Sequence, residues 1–215
     1  MFTKKELVWI IVMLIVYEFI IIFPSSFTPP NTFSPLILLV PIMILLTSIV
    51  SKKIAADYFS IKIEHKVWEF QRWGYYRRSQ FKKPVQIGLI LPFILSILTL
   101  GMVRMFTFFQ FEVENIHETR ILKQKGLKRK EEINESDIAF TAAWGFLSLL
   151  ILAIIGALPG IREIFPELSK YAIYFGFWNL LPVSQLDGNK LFFGSVLTWT
   201  FLTVLYVIGL ILVII

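Results

Sequence analysis

A carboxylate lies inside an apolar stretch near the carboxyl end of the chain. The sequence NLLPVSQLDGNK covers residues 179–190, apolar residues precede it from Tyr171, and apolar sequence resumes after Leu191. Asp187 is the acid in this stretch, and Gly188 follows it. Because an ionised carboxylate is costly to bury, it requires a cation, a metal ion or a proton as its partner. The residues around Asp187 are therefore the first candidates for a functional site.

Five residues of this stretch follow the pattern N-x-x-P-x-x-x-L-D-G, namely Asn179, Pro182, Leu186, Asp187 and Gly188. Proline lacks a backbone donor and interrupts a helix, whereas glycine gives the backbone freedom beside the acid. The pattern resembles the signature of the site-2 proteases, which are intramembrane zinc metalloproteases. The resemblance implies that Asp187 corresponds to the family's third protein ligand of zinc.

The rest of the family's zinc site has no counterpart in the sequence. Its other ligands are the two histidines of H-E-x-x-H, one helical turn apart, and the glutamate between them is the general base. The two histidines of this chain, His65 and His117, cannot form that motif. The resemblance places the lost motif at the end of the second apolar segment, where Ser48 and Lys52 replace the histidines and Ile49 replaces the glutamate.

These substitutions predict a vestigial site without catalytic residues and without bound zinc, in which Asp187 is a relic ligand. Asp187 then needs another partner. Lys52 has a long stem that can carry its ammonium into the space the metal vacated, so we predict an ion pair between Lys52 and Asp187. Lys53 or Lys190 is the alternative cation, and a neutral, hydrogen-bonded Asp187 is the remaining alternative.

The expected function is that of a catalytically inactive site-2 protease-like membrane protein that binds or scaffolds transmembrane segments of other proteins. Two alternatives stay open. An active metalloprotease would need substitute ligands, for which His65 and Glu69 have i, i+4 spacing and Asp187 would be the third. A small transporter or channel subunit would use the intramembrane acids Glu18 and Asp187.

Composition supports a membrane protein. The 215 residues are 56% hydrophobic, with a mean hydropathy of +0.72, whereas soluble domains average nearer 45–50% apolar residues. The chain has no cysteine, which excludes disulfides and thiol catalysis. Its formal charge of +6 is typical of cytoplasmic loops that meet anionic membrane lipid, and no basic module indicates nucleic acid as a partner.

The elements that must position the site are apolar segments at 7–23, 33–50, 84–103, 138–158, 171–182 and 195–215. They predict an all-α polytopic membrane protein of one domain, residues 1–215. The resemblance implies a family-like core over residues 33–190, built on the second, fourth and fifth apolar segments. Helices at 7–23 and 195–215 are additions to that core.

Positive charge predicts the orientation in the cell membrane. The N-terminus and the basic segments 51–83 and 111–137 are expected to be cytoplasmic. Both basic segments share one side only if segment 84–103 dips into the membrane and returns. Pro92 would interrupt this segment midway and Gly101 would end it, so we predict a re-entrant segment.

Two further elements are predicted outside the membrane core. Residues 61–80 place Ile63, Val67 and Phe70 at helical spacing beside aromatic residues, which indicates an interfacial helix. Residues 106–116 alternate between two faces, which predicts a short β-strand.

Overall fold

The computed structural model describes residues 3–22, 35–72, 80–101, 106, 109–116 and 134–214. The described part is mostly helical, with two small two-stranded sheets. A short 3-10 helix at Pro35–Leu38 directly precedes the second α-helix. In chain order the elements are α1 (Lys4–Ile22), α2 (Leu39–Tyr58), β1 (Ile61–Val67), β2 (Phe70–Arg72), β3 (Gln80–Val85), α3 (Ile87–Leu98), β4 (Phe109–Ile116), α4 (Glu135–Ala157), α5 (Pro159–Ile164), α6 (Leu168–Leu180), α7 (Asp187–Gly194) and α8 (Val196–Ile214).

Three of the described helices are long and apolar enough to cross a membrane: Leu36–Tyr58, Glu135–Ala157 and Val196–Val213. Helix α8 leaves large apolar side chains exposed along its length, among them Phe201, Ile211 and Leu212. An apolar surface of this kind is stable against lipid and unfavourable in water. These helices fit an integral membrane protein, as the composition predicts.

Helices α2, α4 and α6 pack against one another, so the second, fourth and fifth apolar segments meet. Small residues let the helices approach closely, as is common between membrane helices. Gly176 of α6 lies against the ring of Tyr206, and a Cβ there would collide with that ring. The Tyr206 hydroxyl donates to the carbonyl of Phe146 at 2.9 Å, which joins α8 to α4.

The prediction of an interfacial helix at 61–80 is wrong for the described residues. Residues 61–67 form β1 and residues 70–72 form β2, while 73–79 lie outside the described part of the chain. The side chains of Ile61, Ile63, His65 and Val67 are buried in alternation with more exposed neighbours. β-Branched residues with period-two burial fit one half-buried face of a strand.

The strand predicted at 106–116 is present as β4, which begins at Phe109. It pairs antiparallel with β1, where Val67 lies opposite Phe109 and His65 lies opposite Phe111. The register shifts between Lys62 and Ile63. The second sheet pairs β2 with β3. Residues 117–133, which include His117 and most of the predicted basic loop 111–137, lie outside the described residues.

Helix α3 belongs to a segment of the chain that leaves the end of β1 and returns to it. The backbone N–H of Gly88 donates to the carbonyl of Trp68 at 2.9 Å, and the chain is again beside Val67 at Phe109. The helix has 12 residues, or about 18 Å, and is therefore shorter than a hydrocarbon core of about 30 Å. No straight crossing helix covers the described residues 84–101.

The two predictions for segment 84–103, an interruption at Pro92 and an end at Gly101, have different outcomes. Pro92 lies inside a continuous helix, so the predicted interruption at this residue is wrong. The helix ends at Leu98, and Gly101 (φ 75°) donates its N–H to the carbonyl of Ser96 at 2.8 Å. A positive φ favours glycine, which explains the turn at the predicted end. Residues 102 and 103 lie outside the described part.

Candidate functional site: a buried lysine–aspartate pair

Helix α2 presents Ser48 and Lys52 on one buried face. The two residues are one helical turn apart and are 1% and 3% exposed. Ile49, the third residue of the predicted vestigial site on this helix, is also buried. The face on which the resemblance would place the family's histidines is therefore a packed interior face.

Helix α4 makes room for the lysine stem with a glycine. A Cβ added to Gly145 would lie 2.7 Å from Cγ of Lys52 and closer still to its Cε. Beside this contact, the hydroxyl of Ser148 donates to the hydroxyl of Ser51 at 2.8 Å, which links α4 to α2. Any side chain at position 145 would displace the lysine from its channel between the two helices.

Asp187, at the start of α7, contacts the ammonium of Lys52. Its carboxylate is fully buried, and Oδ2 lies 2.5 Å from Nζ of Lys52. The other oxygen, Oδ1, accepts a hydrogen bond from the backbone N–H of Phe111 at 3.2 Å. The acid therefore ties α7 both to α2 and to strand β4.

The two alternative cations, Lys190 and Lys53, make their shortest contacts with groups other than Asp187. Lys190 lies one turn along α7, with Nζ 3.8 Å from Oδ1 of Asp187. It donates to the carbonyl of Phe111 and lies over the ring of that residue. Lys53 points to a different acid, Glu6, at 2.7 Å. Of the three predicted cations, Lys52 makes the shortest contact with Asp187, and Lys190 adds a second positive charge.

The other residues of the N-x-x-P-x-x-x-L-D-G pattern shape the segment that carries the acid. Asn179 donates to the carbonyls of Phe106 and Phe175 at 2.7 and 2.8 Å. Helix α6 ends at Leu180, two residues before Pro182.

After this break, the chain returns against the helix that it has left. A Cβ on Gly188 would collide with the backbone of Leu180, so this position requires glycine for close backbone approach. Leu186 is buried against Trp68, which anchors the same loop to the end of β1. The pattern residues thus position Asp187 from both sides.

A second charged cluster, which was not predicted from the sequence, lies beside the first. Glu6 is 1% exposed, and its Oε1 lies 2.9 Å from Nδ1 of the buried His65, while Oε2 accepts from Lys53. One sequence pattern does mark Glu6 as a residue at the start of a helix. Thr3 and Glu6 form the capping-box pattern T-x-x-E, and the N–H of Glu6 donates to the Thr3 hydroxyl at 3.1 Å.

The substitute zinc ligands proposed from i, i+4 spacing do not have helical geometry. His65 lies in β1 and Glu69 follows the end of this strand, so the two residues are not one helical turn apart. His65 instead faces Glu6. Among the described residues, no group of three or more His, Cys, Asp or Glu side chains is arranged to hold a metal ion.

Burial determines the charge state of His65. Removal from water penalises the imidazolium and lowers the pKa of His65 below its ordinary value of 6.5, although the hydrogen bond to Glu6 opposes this shift. Within the described part of the chain, its Nε2 has no hydrogen-bond partner. Burial and the unpartnered Nε2 therefore both favour the neutral imidazole over the imidazolium.

Chemically, the Lys52–Asp187 pair is a closed structural contact. Each oxygen of its acid accepts a hydrogen bond from within the protein, one from an ammonium and one from a backbone N–H. No protein-family model matches this sequence, no curated protein matches it, and no solved structure matches it.

Proposed function

We propose that this chain is a site-2 protease-like membrane protein without catalytic activity, which binds or scaffolds transmembrane segments of other proteins. The observation that carries the proposal is the 2.5 Å separation between Nζ of Lys52 and Oδ2 of Asp187. In the resembling family, the residue at position 52 and the acid at position 187 would share one zinc ion. Here one of them is a cation bound directly to the other.

The ion pair argues against zinc chemistry at this place. A catalytic zinc site needs three protein ligands at about 2.0–2.3 Å and one open position for water. A lysine ammonium is not a ligand in its charged form and repels a divalent cation. With Ser48 and Ile49 in place of histidine and glutamate, neither the remaining ligand nor the general base is supplied.

A stripe on the opposite face of α2 suits a partner helix. Leu46, Val50 and Ile54 follow one another at four-residue intervals and are 47%, 42% and 65% exposed. Such i, i+4 spacing gives a continuous apolar ridge that a second helix can contact. The buried pair fixes the other face of the same helix to α7 and thereby holds the stripe in position.

The topology belongs to the same proposal. We take the chain as a multi-pass protein of the cell membrane, with its N-terminus and its basic segments cytoplasmic and with residues 84–103 re-entrant. The support is that the α3 excursion leaves beside Trp68 and returns beside Val67. Because the segment leaves and returns beside the same strand, residues 61–72 and 109–116 would lie on the same side of a membrane.

A restoration experiment tests the vestigial site. The triple variant Ser48→His, Ile49→Glu and Lys52→His should bind about one zinc ion per chain after dialysis, measured by elemental analysis. Adding Asp187→Asn should remove most of that zinc. Wild type should hold none at stoichiometric level, and one zinc ion per wild-type chain would overturn the proposal.

The matched control puts the same motif on the exposed face of α2. In the variant Leu46→His, Thr47→Glu and Val50→His, the histidines keep i, i+4 spacing but face away from Asp187. This control should bind zinc weakly and should not respond to Asp187→Asn. Equal retention by both triple variants would show that Asp187 is not the third ligand of a common site.

Binding of transmembrane segments is tested by photo-crosslinking. A photoreactive side chain at Val50 should form adducts with transmembrane peptides in membranes, whereas the same group at Leu212 of α8 should give lipid adducts only. Equal peptide adducts at both positions, or cleavage of the peptides by wild type, would contradict the proposed function.

A further inference from the structure

A cleft of about 700 Å³ lies between α4, α6 and α8, away from the buried ion pair. Its walls are mainly aliphatic, with Ile151, Ile154, Ile173, Leu205 and Leu212 among the lining residues. The volume falls in the range of pockets that hold small molecules, and the lining is typical of a site for an apolar group. Nothing in the proposed function uses this cleft.

One end of the cleft is charged. Arg162 of α5, Glu167 and Lys170 line it together with the apolar residues. Glu167 lies 3.4 Å from Lys170 and offsets one positive charge, whereas Arg162 is exposed and has no ion-pair partner among the described residues. The mouth therefore carries a net positive charge, and its opposite end is apolar.

The position of the cleft between membrane-length helices favours a lipid as its occupant. Two of its walls, α4 and α8, are helices long and apolar enough to cross a membrane. The aliphatic lining then lies at the depth of acyl chains. The charged mouth follows the end of α4, so a membrane crossed by α4 would have this mouth near its headgroups, where Arg162 and Lys170 can pair with a lipid phosphate.

We propose that this cleft binds a phospholipid with a net negative headgroup, with an acyl chain between α4, α6 and α8 and the phosphate at Arg162 and Lys170. The inference is independent of the proposed function. An apolar tail beside an anionic group satisfies both ends of the cleft, and a wholly apolar helix would leave Arg162 unpaired against lipid.

The test is native mass spectrometry of the whole chain in mild detergent, titrated with phosphatidylglycerol or with phosphatidylcholine of the same acyl chains. Wild type should retain one phosphatidylglycerol preferentially. The double variant Arg162→Gln and Lys170→Gln should bind it about 25-fold more weakly, because each cation near an anionic headgroup contributes about fivefold. Lys5→Gln, which removes an exposed cation on α1, is the matched control and should not change the affinity.

A second variant separates the tail from the headgroup. Ala157 lines the cleft and is exposed, so Ala157→Phe should fill part of the volume and weaken binding while the charged mouth stays intact. Equal affinity for the two lipids, an equal loss in Lys5→Gln, or unchanged binding in Ala157→Phe would each overturn the proposal. Displacement of the lipid by a transmembrane peptide at equimolar concentration would overturn it in favour of a protein occupant.

Discussion

Two adjacent lysines of α2 bind two different acids. Lys52 reaches Asp187, 135 residues away in the sequence, and Lys53 reaches Glu6 on α1. Successive residues on a helix point about 100° apart, so one turn of α2 serves two clusters. Each cluster fixes a different part of the molecule to the β1–β4 sheet, through Phe111 in one case and through His65 in the other.

The two clusters differ in their access to water. Lys52 and Asp187 are 3% and 0% exposed, whereas Lys53 is 18% exposed beside the buried Glu6. A charge that loses its partner in a dry site keeps the full desolvation cost, while a partly exposed ammonium regains hydration. These two neighbouring ion pairs of similar length should therefore respond differently to the loss of one partner.

The largest effect is expected at the drier pair. Lys52→Ala and Asp187→Asn should each lower the free energy of unfolding by about 3–5 kcal/mol, because each leaves an uncompensated buried polar group. The double variant should lose less than the sum of the single losses, since both break the same contact. Denaturation in detergent measures all three, and strict additivity would show that the pair is not coupled.

A matched apolar replacement sharpens this result. Lys52→Met with Asp187→Leu removes both charges at similar volume, and such replacements are often neutral or stabilising. We expect this double variant to be more stable than either single variant. If it is instead the least stable of the set, the contact of Asp187 with the Phe111 N–H is the dominant contribution, and the lysine is secondary.

A smaller effect is expected at the second cluster. Glu6→Gln keeps the shape of the side chain but removes its charge, so Lys53 loses its counter-ion and the contact with His65 loses its charged acceptor. Loss of a hydrogen bond to a charged group costs about 1.5–3 kcal/mol, and hydration of Lys53 should keep the loss near the lower end. Chemical denaturation measures it, and a loss exceeding that of Asp187→Asn would reverse the order inferred from exposure.

The pH dependence of stability should follow His65. Burial lowers the pKa of His65 in the folded protein, and the groups that act on it are Glu6, Lys52 and Asp187. Between about pH 6.5 and the lower pKa of His65 in the folded protein, the unfolded chain binds a proton that the folded chain does not, so stability falls as the pH decreases through this range. The slope is at most about 1.4 kcal/mol per pH unit for one proton.

His65→Gln supplies the control for this prediction. Unfolding of wild type and variant is compared at pH 7.5 and pH 5.5, and the variant should show the smaller decrease. Carboxylates titrate mainly at lower pH and affect both proteins alike. An identical decrease in the two proteins would assign the pH dependence to other groups and leave His65 without this role.

The contact between Lys52 and Asp187 could be predicted because the resemblance that makes Asp187 correspond to a zinc ligand also places Lys52 at the position of a second ligand, and a buried acid without a metal needs a cation. The strand β1 could not be predicted in the same way. Residues four apart share a face in a helix and also in a strand, so Ile63 and Val67 fit both. Burial of His65 on the same face as Ile63 and Val67 distinguishes the strand from a helix. The burial of a histidine cannot be read from the sequence alone.

The second cluster depends on contacts between distant residues with no shared local pattern. Glu6 and His65 are 59 residues apart, and only the capping box marks Glu6 as a helix-start residue. A capping role explains one hydrogen bond of this acid but gives no information about its partners on α2 and β1. The sequence therefore predicts single residues of this cluster and not the assembly.

The smallest effect is expected on the outer face of the same sheet, where Lys66 of β1 contacts Glu112 of β4 at 2.6 Å. The hydrogen bond to Glu112 raises the pKa of Lys66, yet the two side chains are 38% and 45% exposed. Exposed pairs are screened by water and salt and contribute about 0–1 kcal/mol. Lys66→Gln should therefore change the free energy of unfolding by less than about 1 kcal/mol, and the difference should shrink further in high salt. Lys53→Gln, measured in parallel, should cost more because its acid is buried. A loss from Lys66→Gln that matches the loss from Lys53→Gln and persists in high salt would mean that the outer face of the sheet is shielded from water in the folded protein.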